Sequence, residues 1–216
     1  MTKNELITVI QSLANSRAVF HSEADFQHEL AMALNQKTNK EIRLEKPFAD
    51  IPIKPGLKTT TKIELDILVV TEGLGIELKY KTKEVQLTVN NEDFNLRNHG
   101  AQNLGRYDFF DDIRRVQELK RSGLVNRGIV VFLTNDPTYW NQSTRRNLSK
   151  QFSMHEGRII NEKSTLGWEG NPAVGSVTKK RLAPFNPITI EHKIELSWKS
   201  YSRIGDSEFK FLLIEI

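Results

Sequence analysis

The stretch KIELDILVVTEGLGIELKYK, residues 62 to 81, reads as two mostly apolar strands joined by a turn, yet charged groups lie in the middle of both strands. Asp66 lies in the first apolar run, and Glu77 and Lys79 lie in the second. Charged groups within a sheet are costly unless they are paired, solvated or bound to a metal. Mg²⁺ binds oxygen ligands and typically uses one or two carboxylates together with phosphate and water. The residue types therefore indicate a divalent-metal site for phosphodiester hydrolysis.

Each of these residues has a defined task in such a reaction. A bound Mg²⁺ or Mn²⁺ lowers the pKa of a water ligand and neutralises charge on the phosphate. Asp66 and Glu77 would hold the ion, and the carbonyl of Leu78, which lies between Glu77 and Lys79, would serve as another ligand. We expect Lys79 to position the attacking water or to stabilise the pentacovalent transition state.

Two predicted strands, over about residues 62–70 and 75–81, must bring these groups together. A tight turn between them places Asp66 opposite Glu77, on one face of two strands about 4.8 Å apart. Two carboxylates that close repel each other strongly unless a cation lies between them. The opposite face of the first strand is predicted to be uniformly apolar, with Ile63, Leu65, Ile67 and Val69.

A simpler interpretation of the same residues stays open at this point. One face of an antiparallel hairpin is often exposed to solvent, and Glu and Lys are its usual occupants. A Glu-x-Lys triplet also arises by chance about once in a chain of this length. The triplet alone therefore favours an ordinary solvated face.

A third acid, Glu23, lies at the start of a predicted helix, SEADFQHELAMALN, with Ser22 as its N-cap. At 100° per residue, Glu23 lies within about 40° of the centre of the helix's apolar stripe. It therefore tilts toward the sheet, where it would meet the metal. The alternative is an acid that only favours the positive end of the helix dipole. The stripe consists of Phe26, Leu30, Ala33 and Leu34.

The remaining elements complete a mixed α/β sheet. We expect a first helix over residues 3–15, a strand over 42–48, a hairpin turning near Asn90 and Asn91, a helix over 106–121 and the buried strand GIVVFLTND. An apolar strand directly after a helix favours a parallel crossover. On the helix over 106–121, three arginines and three aspartates read as a solvated face of ion pairs: Arg106, Arg114, Arg115, Asp108, Asp111 and Asp112.

The C-terminal part is predicted to extend the same domain. Residues 143–157 read as helical and residues 164–187 as a loop. The final segment from about residue 188 reads as a β-hairpin turning at Gly205 and Asp206. Because a two-stranded hairpin is marginal alone, we expect a single domain over residues 1–216, with its core at about 20–135 and an extension at about 140–216.

An acid on a first helix, then Asp66, then Glu77-Leu78-Lys79 after ten intervening residues resembles the PD-(D/E)xK nucleases, which have the restriction-endonuclease-like fold. The segments SEADFQHELA, LDILV, IELKYK, GAQNLGRYDF and LSWKSYS are also similar to a group of uncharacterised bacterial proteins within that superfamily. The resemblance covers about residues 20–135 and implies an αβββαβ core.

The resemblance also implies roles for particular residues. Asp66 and Glu77 would be the metal ligands, Lys79 the catalytic lysine and Glu23 the helix acid. Some members add a Gln and a Tyr on the next helix that organise the site or the nucleic acid, and Gln102 with Arg106 or Tyr107 occupies that place. The alternative, which the sequence favours for Tyr107, is an aromatic residue at the edge of the core. Two departures stand out. Leu65 replaces the proline of the motif, and Gln102 and Tyr107 have a Gln-x4-Tyr spacing instead of Gln-x3-Tyr.

Composition bounds the remaining possibilities. The 216 residues carry a net charge of +4 and no cysteine, which excludes disulfides and cysteine-based zinc sites. The first residues resemble no signal peptide, and no run of about 18 apolar residues occurs, so we expect a cytoplasmic protein without membrane contact. The five histidines have no metal-ligand spacing. Basic pairs and triplets that read as solvated loops or phosphate contacts lie at Arg145–Arg146 and Lys179–Arg181.

The sequence thus predicts a nuclease that uses Mg²⁺ or Mn²⁺ and acts on nucleic acid, with DNA as the expected substrate. The alternative is a non-catalytic module on the same fold that binds nucleic acid or a protein partner. The sequence leaves the oligomeric state open between monomer and homodimer.

Overall fold

The computed structural model describes residues 1–52, 60–143, 149–169 and 187–216. Three α-helices lie in these ranges: α1 (Lys3–Leu13), α2 (Glu23–Thr38) and α3 (Gln102–Arg121). The strands are β1 (Ile42–Pro52), β2 (Thr60–Val69), β3 (Leu74–Lys81), β4 (Val85–Val89), β5 (Glu92–Leu96), β6 (Arg127–Thr134), β7 (Arg158–Ile160), β8 (Ser164–Leu166), β9 (Ile188–Ile190), β10 (Ile194–Leu196), β11 (Trp198–Ile204) and β12 (Ser207–Glu215). Short 3-10 turns cover Val70–Glu72 and Lys150–Phe152.

A six-stranded mixed sheet forms the centre, in the order β1-β2-β3-β6-β12-β11. β3 and β6 run parallel, and the other neighbours in this sheet run antiparallel. The parallel pair is joined through α3, as the crossover rule predicts for an apolar strand that follows a helix. The predicted mixed α/β sheet is confirmed at this level.

The local signals explain where the helices and turns begin. Thr2 and Glu5 form a complete capping box at α1, and the Ser22 side chain accepts the N–H of Asp25 at α2. Asn90 and Asn91 have φ values of 51° and 63°, as a two-residue type I′ hairpin turn between β4 and β5 requires.

Each face of the central sheet carries its own hydrophobic core. α1 and α2 cover one face and pack on side chains from β2, β3, β6, β12 and the β5 hairpin strand. α3 covers the other face together with the C-terminal segments from Tyr139 onward, including β7 to β10. None of the helices within the described ranges is both long and apolar enough to cross a membrane.

The regular geometry of β2 is interrupted in the middle of the strand, which the sequence did not predict. Ile67 and Val69 belong to the α1–α2 core, whereas Ile63 and Leu65 pack in a separate cluster with Leu119 from α3. The predicted uniform apolar face of β2 is therefore wrong. The division falls at Asp66, where the β1–β2 ladder skips one residue pair and Glu45 on β1 has a φ of 49°.

The C-terminal part differs from the prediction in three ways. The predicted helix over 143–157 is absent from its described residues, which contain only the short 3-10 turn at Lys150–Phe152. The predicted loop begins with a strand, β8, and residues 188–196 form β9 and β10, which pair with β8 and β7. The hairpin turning at Gly205 and Asp206 is confirmed as β11–β12, and β12 joins the central sheet beside β6.

Two predicted features lie outside the described residues: the pair Arg145–Arg146 and the triplet Lys179–Arg181.

Candidate active site

Where β2 is interrupted, it separates from β3, and two carboxylates lie in the gap between the two strands. The β2–β3 ladder ends at the pair Ile67 and Ile76, so the next backbone N–H groups on that edge of β3 have no strand partner. The N–H of Leu78 donates to Asp66 Oδ2 at 2.6 Å, and the N–H of Tyr80 donates to Glu23 Oε2 at 2.7 Å. Carboxylates accept such hydrogen bonds strongly, and an unpaired buried N–H is costly.

A glutamine holds the two sides of this gap together. Gln27 on α2 is buried, and its Nε2 donates to the Asp66 carbonyl and to Glu45 Oε1, both at 2.7 Å. The residue pair that the β1–β2 ladder skips is thus bridged from the helix above it. Asp66 is consequently fixed through its backbone by α2 and through its carboxylate by β3.

Glu77 and Lys79 face the opposite side of the sheet from the main apolar face of β3 and meet α3. The Glu77 side chain is 1% exposed, and its Oε1 lies 3.2 Å from Arg115 Nη2. Lys79 Nζ lies 3.1 Å from Asp112 Oδ2 and donates to the Leu78 carbonyl at 3.1 Å. The alternative interpretation of Glu77 and Lys79 as a solvated face is therefore wrong, because both side chains are enclosed by α3.

Arg115 and Asp112 connect α3 to both strands of the site. Arg115 Nη1 donates to Asp112 Oδ1 at 2.9 Å, and Arg115 Nη2 donates to the Glu64 carbonyl on β2 at 2.7 Å. The expected ion pairing on this helix is present, yet Asp112 is 2% exposed and belongs to the interior. Its assignment to a solvated helix face is therefore wrong.

Burial of these acids raises their pKa values. Burial, with Asp112 and Asp66 nearby, raises the pKa of Glu77 well above its usual range, against the opposing effect of Arg115. Burial likewise raises the pKa of Asp66, and it raises the pKa of Asp112 to about 6. Burial alone would lower the pKa of Lys79, but the surrounding carboxylates, Asp112 foremost, raise it instead. These residues, together with Glu23 and Arg115, form a cluster of four carboxylates and two cations, in which negative groups outnumber positive ones.

Two carboxylate oxygens in the cluster have no hydrogen-bond donor within the described residues: Glu77 Oε1 and Asp112 Oδ2. Each lies close to a cation, but neither contact has the geometry of a hydrogen bond. Buried acceptors of this kind are rare in folded proteins and need compensation by a positive charge close to them.

The structure brings together some of the predicted site residues and leaves others apart. Asp66, Glu77, Leu78 and Lys79 gather where β2 leaves β3, and Glu23 reaches the edge of β3 from α2. In the described part of the chain, however, no three acidic or histidine side chains are arranged to share one metal ion. The carboxylates are instead engaged by backbone N–H groups and by the cations of β3 and α3.

The residues expected to contact nucleic acid do not form a surface. Arg106 is 8% exposed, and its Nη2 donates to the Thr138 carbonyl at 2.6 Å while its guanidinium lies over the Tyr139 ring. Tyr107 is buried and stacks on Trp168. Both side chains are unavailable to a nucleic acid in this conformation. Gln102 is only half-buried, and its Nε2 donates to Asp136 Oδ2 at 3.2 Å.

The helical periodicity of α3 contains a signal for the buried position of Asp112. At 100° per residue, Asp112 lies within about 45° of the centre of the apolar stripe of α3, inside its buried arc. An acid on that arc must find a cationic partner, and Arg115, one turn later, is the nearest candidate. The stripe consists of Phe109, Ile113, Val116 and Leu119.

A scan against protein-family models, a search of curated proteins and a search of solved structures each found no match for this chain.

Proposed function

We propose that this chain is a metal-dependent nuclease that hydrolyses phosphodiester bonds, and that its substrate is DNA. One observation carries the proposal: the Asp66 carboxylate lies 2.6 Å from the Leu78 N–H, in the gap where β2 leaves β3. That contact sets Asp66 beside Glu77, the Leu78 carbonyl and Lys79, the combination that a hydrolytic metal site requires.

The charge of the cluster supports a divalent cation as the missing partner. Its ionisable groups are four carboxylates and two cations: Glu23, Asp66, Glu77, Asp112, Lys79 and Arg115. The formal charge of this set is therefore minus two when all six groups are ionised. Buried charge of one sign is costly without compensation, and one divalent cation would neutralise it.

The donor atoms also fit Mg²⁺ or Mn²⁺, which prefer oxygen ligands. Asp66, Glu77 and the Leu78 carbonyl would hold the ion, and Glu23 would assist directly or through water. Glu77 Oε1 is buried without a hydrogen-bond donor among the described residues, so it has an unused capacity to bind a cation. When bound, the ion would supply an activated water and neutralise charge on the phosphate.

The other members of the cluster act through charge and position. The Lys79 ammonium stabilises the negative charge that develops on the phosphate in the transition state. Arg115, 3.2 Å from Glu77, favours the ionised form of that carboxylate, which is the form that binds a cation. Burial against α3 keeps these charges out of water and so strengthens their interactions.

The order of elements around the site gives further support. α2, β1, β2, β3, α3 and β6 occur in this order along the chain, with the β4–β5 hairpin inserted between β3 and α3, and β3 lies beside β6 in parallel. This order is similar to the αβββαβ core of the PD-(D/E)xK nucleases, which we propose as the fold of residues 20–135. Because a fold does not define a function, the proposal depends on the residues of the cluster.

Incubation of the purified protein with supercoiled and linear DNA, with Mn²⁺, with Mg²⁺ and with EDTA, tests the proposal. We expect cleavage with either metal and none in EDTA. Lys79→Ala and Asp66→Asn should abolish cleavage, whereas Lys62→Ala, at an exposed position on β2, should not. If the intact protein cuts nothing, or if Lys79→Ala cuts as well as the natural protein, the proposal fails.

The carboxylates already interact with backbone N–H groups and cations of the protein. This favours a second candidate function, a non-catalytic module that binds nucleic acid or a protein partner. No three acids in the described ranges are arranged for one metal ion, so a site that only stabilises the fold would look similar. DNA binding that is insensitive to EDTA, without any cleavage, would support this candidate and contradict the first.

A further inference from the structure

The Lys79 ammonium lies against two oxygen atoms, although several other carboxylates are near enough to attract it. Its ammonium lies 3.1 Å from Asp112 Oδ2 and 3.1 Å from the Leu78 carbonyl, and its side chain is 16% exposed. A lysine has a flexible stem of four carbons and a compact, rotatable charge, so its position depends on the partner that fixes it.

The competing partners are the acids of the proposed metal site. Glu23, Asp66 and Glu77 all attract the Lys79 ammonium electrostatically. The Leu78 carbonyl, a proposed ligand of the metal, already accepts a hydrogen bond from it. An ammonium that moved onto these oxygens would occupy the ligands that a divalent cation needs.

The contacts of Asp112 oppose that movement of the Lys79 ammonium. Arg115 Nη1 donates to its Oδ1 at 2.9 Å, and the residue is 2% exposed on the rigid helix α3. Its Oδ2 has no hydrogen-bond donor in the described ranges and lies toward the Lys79 ammonium. One oxygen thus fixes the carboxylate, and the other is left for the lysine.

We propose that Asp112 is a positioning residue that holds the Lys79 ammonium on the α3 side of the cluster and keeps it off the oxygens of Asp66, Glu77 and Leu78. The inference rests on the proposed function, because it assigns those oxygens to the metal. It adds a second residue of α3, beside Arg115, to a site otherwise built from β2, β3 and α2. Asp112 touches neither metal nor substrate in this arrangement and acts through Lys79.

Proton exchange of the Lys79 ammonium, observed by nitrogen-15 NMR and assigned with Lys79→Met, tests this directly and needs no enzymatic activity. We expect slow exchange in the natural protein and exchange faster by about tenfold or more in Asp112→Asn, because the buried carboxylate that fixes the ammonium loses its charge. Asp111→Asn, one residue away and paired with Arg114, is the matched control and should leave exchange unchanged.

Equal exchange in Asp112→Asn and in the natural protein would overturn the inference. If Asp112→Asn does not fold, Asp112→Glu takes its place, because it keeps the charge but moves the carboxylate by one methylene. Exchange in Asp112→Glu must then also be faster than in the natural protein, or the inference fails.

Binding of Mn²⁺, followed by electron paramagnetic resonance, gives a second readout that a merely structural role would not produce. We expect Asp112→Asn to weaken binding about tenfold as the freed ammonium competes for the metal's ligands. The double variant Asp112→Asn with Lys79→Met should recover the natural affinity, because the competitor is gone. Weakened binding without recovery would show Asp112 to be a ligand or a structural residue instead.

The two failures can be told apart. A natural protein that binds no Mn²⁺ and cuts no DNA would end the proposed function, and the exchange measurement would still decide whether Asp112 holds Lys79.

Discussion

Replacing Arg115 with methionine should destabilise the metal-free protein strongly. Arg115 is the cation closest to buried Glu77, at 3.2 Å, and it also bonds Asp112 at 2.9 Å. At an effective dielectric constant of about 20, each contact represents about 5 kcal/mol of attraction before desolvation is counted. Removing one partner of a buried ion pair costs about 3–5 kcal/mol. Because Arg115 keeps 24% side-chain exposure, we expect about 3 kcal/mol.

Urea unfolding in EDTA, followed by tryptophan fluorescence, measures this loss, and a thermal melt should fall by about 6–12 °C. Arg114→Met is the matched control. Arg114 directly precedes Arg115 on α3 and pairs with Asp111 at 2.7 Å, but the Asp111 side chain is 19% exposed whereas that of Asp112 is 4% exposed. Its loss should cost well under about 1 kcal/mol.

A double-mutant cycle with Glu77→Gln separates the charge effect from lost packing. Once Glu77 is neutral, the loss of Arg115 leaves a smaller uncompensated charge, so the cost of Arg115→Met should fall by about 1–2 kcal/mol. The reasoning is refuted if Arg115→Met costs less than about 1 kcal/mol, or if Glu77→Gln leaves its cost unchanged.

Three further outcomes follow from other parts of the molecule. Gly128→Ala should cost about 1–3 kcal/mol in urea unfolding, because the new methyl carbon would clash with Val116 Cγ1; Gly100→Ala, with nothing within 4 Å, is the neutral control. Burial lowers the pKa of His99, whose Nδ1 accepts the Thr82 N–H, so stability should fall as the pH drops below about 6.5, and less steeply in His99→Asn. The urea midpoint at pH 7.5 and pH 5.5 measures this, and equal slopes would contradict it. Mn²⁺ at a hundred times its Kd should raise the free energy of unfolding by about 2.7 kcal/mol, and EDTA should remove the gain; a thermal melt unmoved by saturating metal would argue against the site.

The sequence predicted best where the signal is local. Ser22 and the acids after it specify the start of α2 within a single turn of chain. Asn90 and Asn91 specify their hairpin because few residues adopt two successive positive φ values. The spacing between Asp66 and Glu77 depends only on one short turn, and the observed register, with Ile67 opposite Ile76, agrees with it.

Prediction failed where the partner is distant in sequence. The interruption in β2 involves Glu45 and Gln27, which are distant from Asp66 in sequence and come close to it only in the folded structure. Periodicity cannot distinguish a face covered by another helix from a face in water, so it leaves a solvated face open as the alternative for Glu77 and favours one for Asp112. Residues 188–196 were read as part of one long hairpin, because nothing local reveals that β9 and β10 pair with β8 and β7.

The position of β12 sets the order in which the protein can fold during synthesis. β6 lies between β3 and β12, so its second edge has no strand until the ribosome has made residues 207–215. Until then, β6 presents apolar faces and unpaired backbone groups that favour aggregation. We expect a nascent chain stopped at residue 197 to be degraded by protease where the finished chain resists; equal resistance would show that the first 197 residues fold without the last strands.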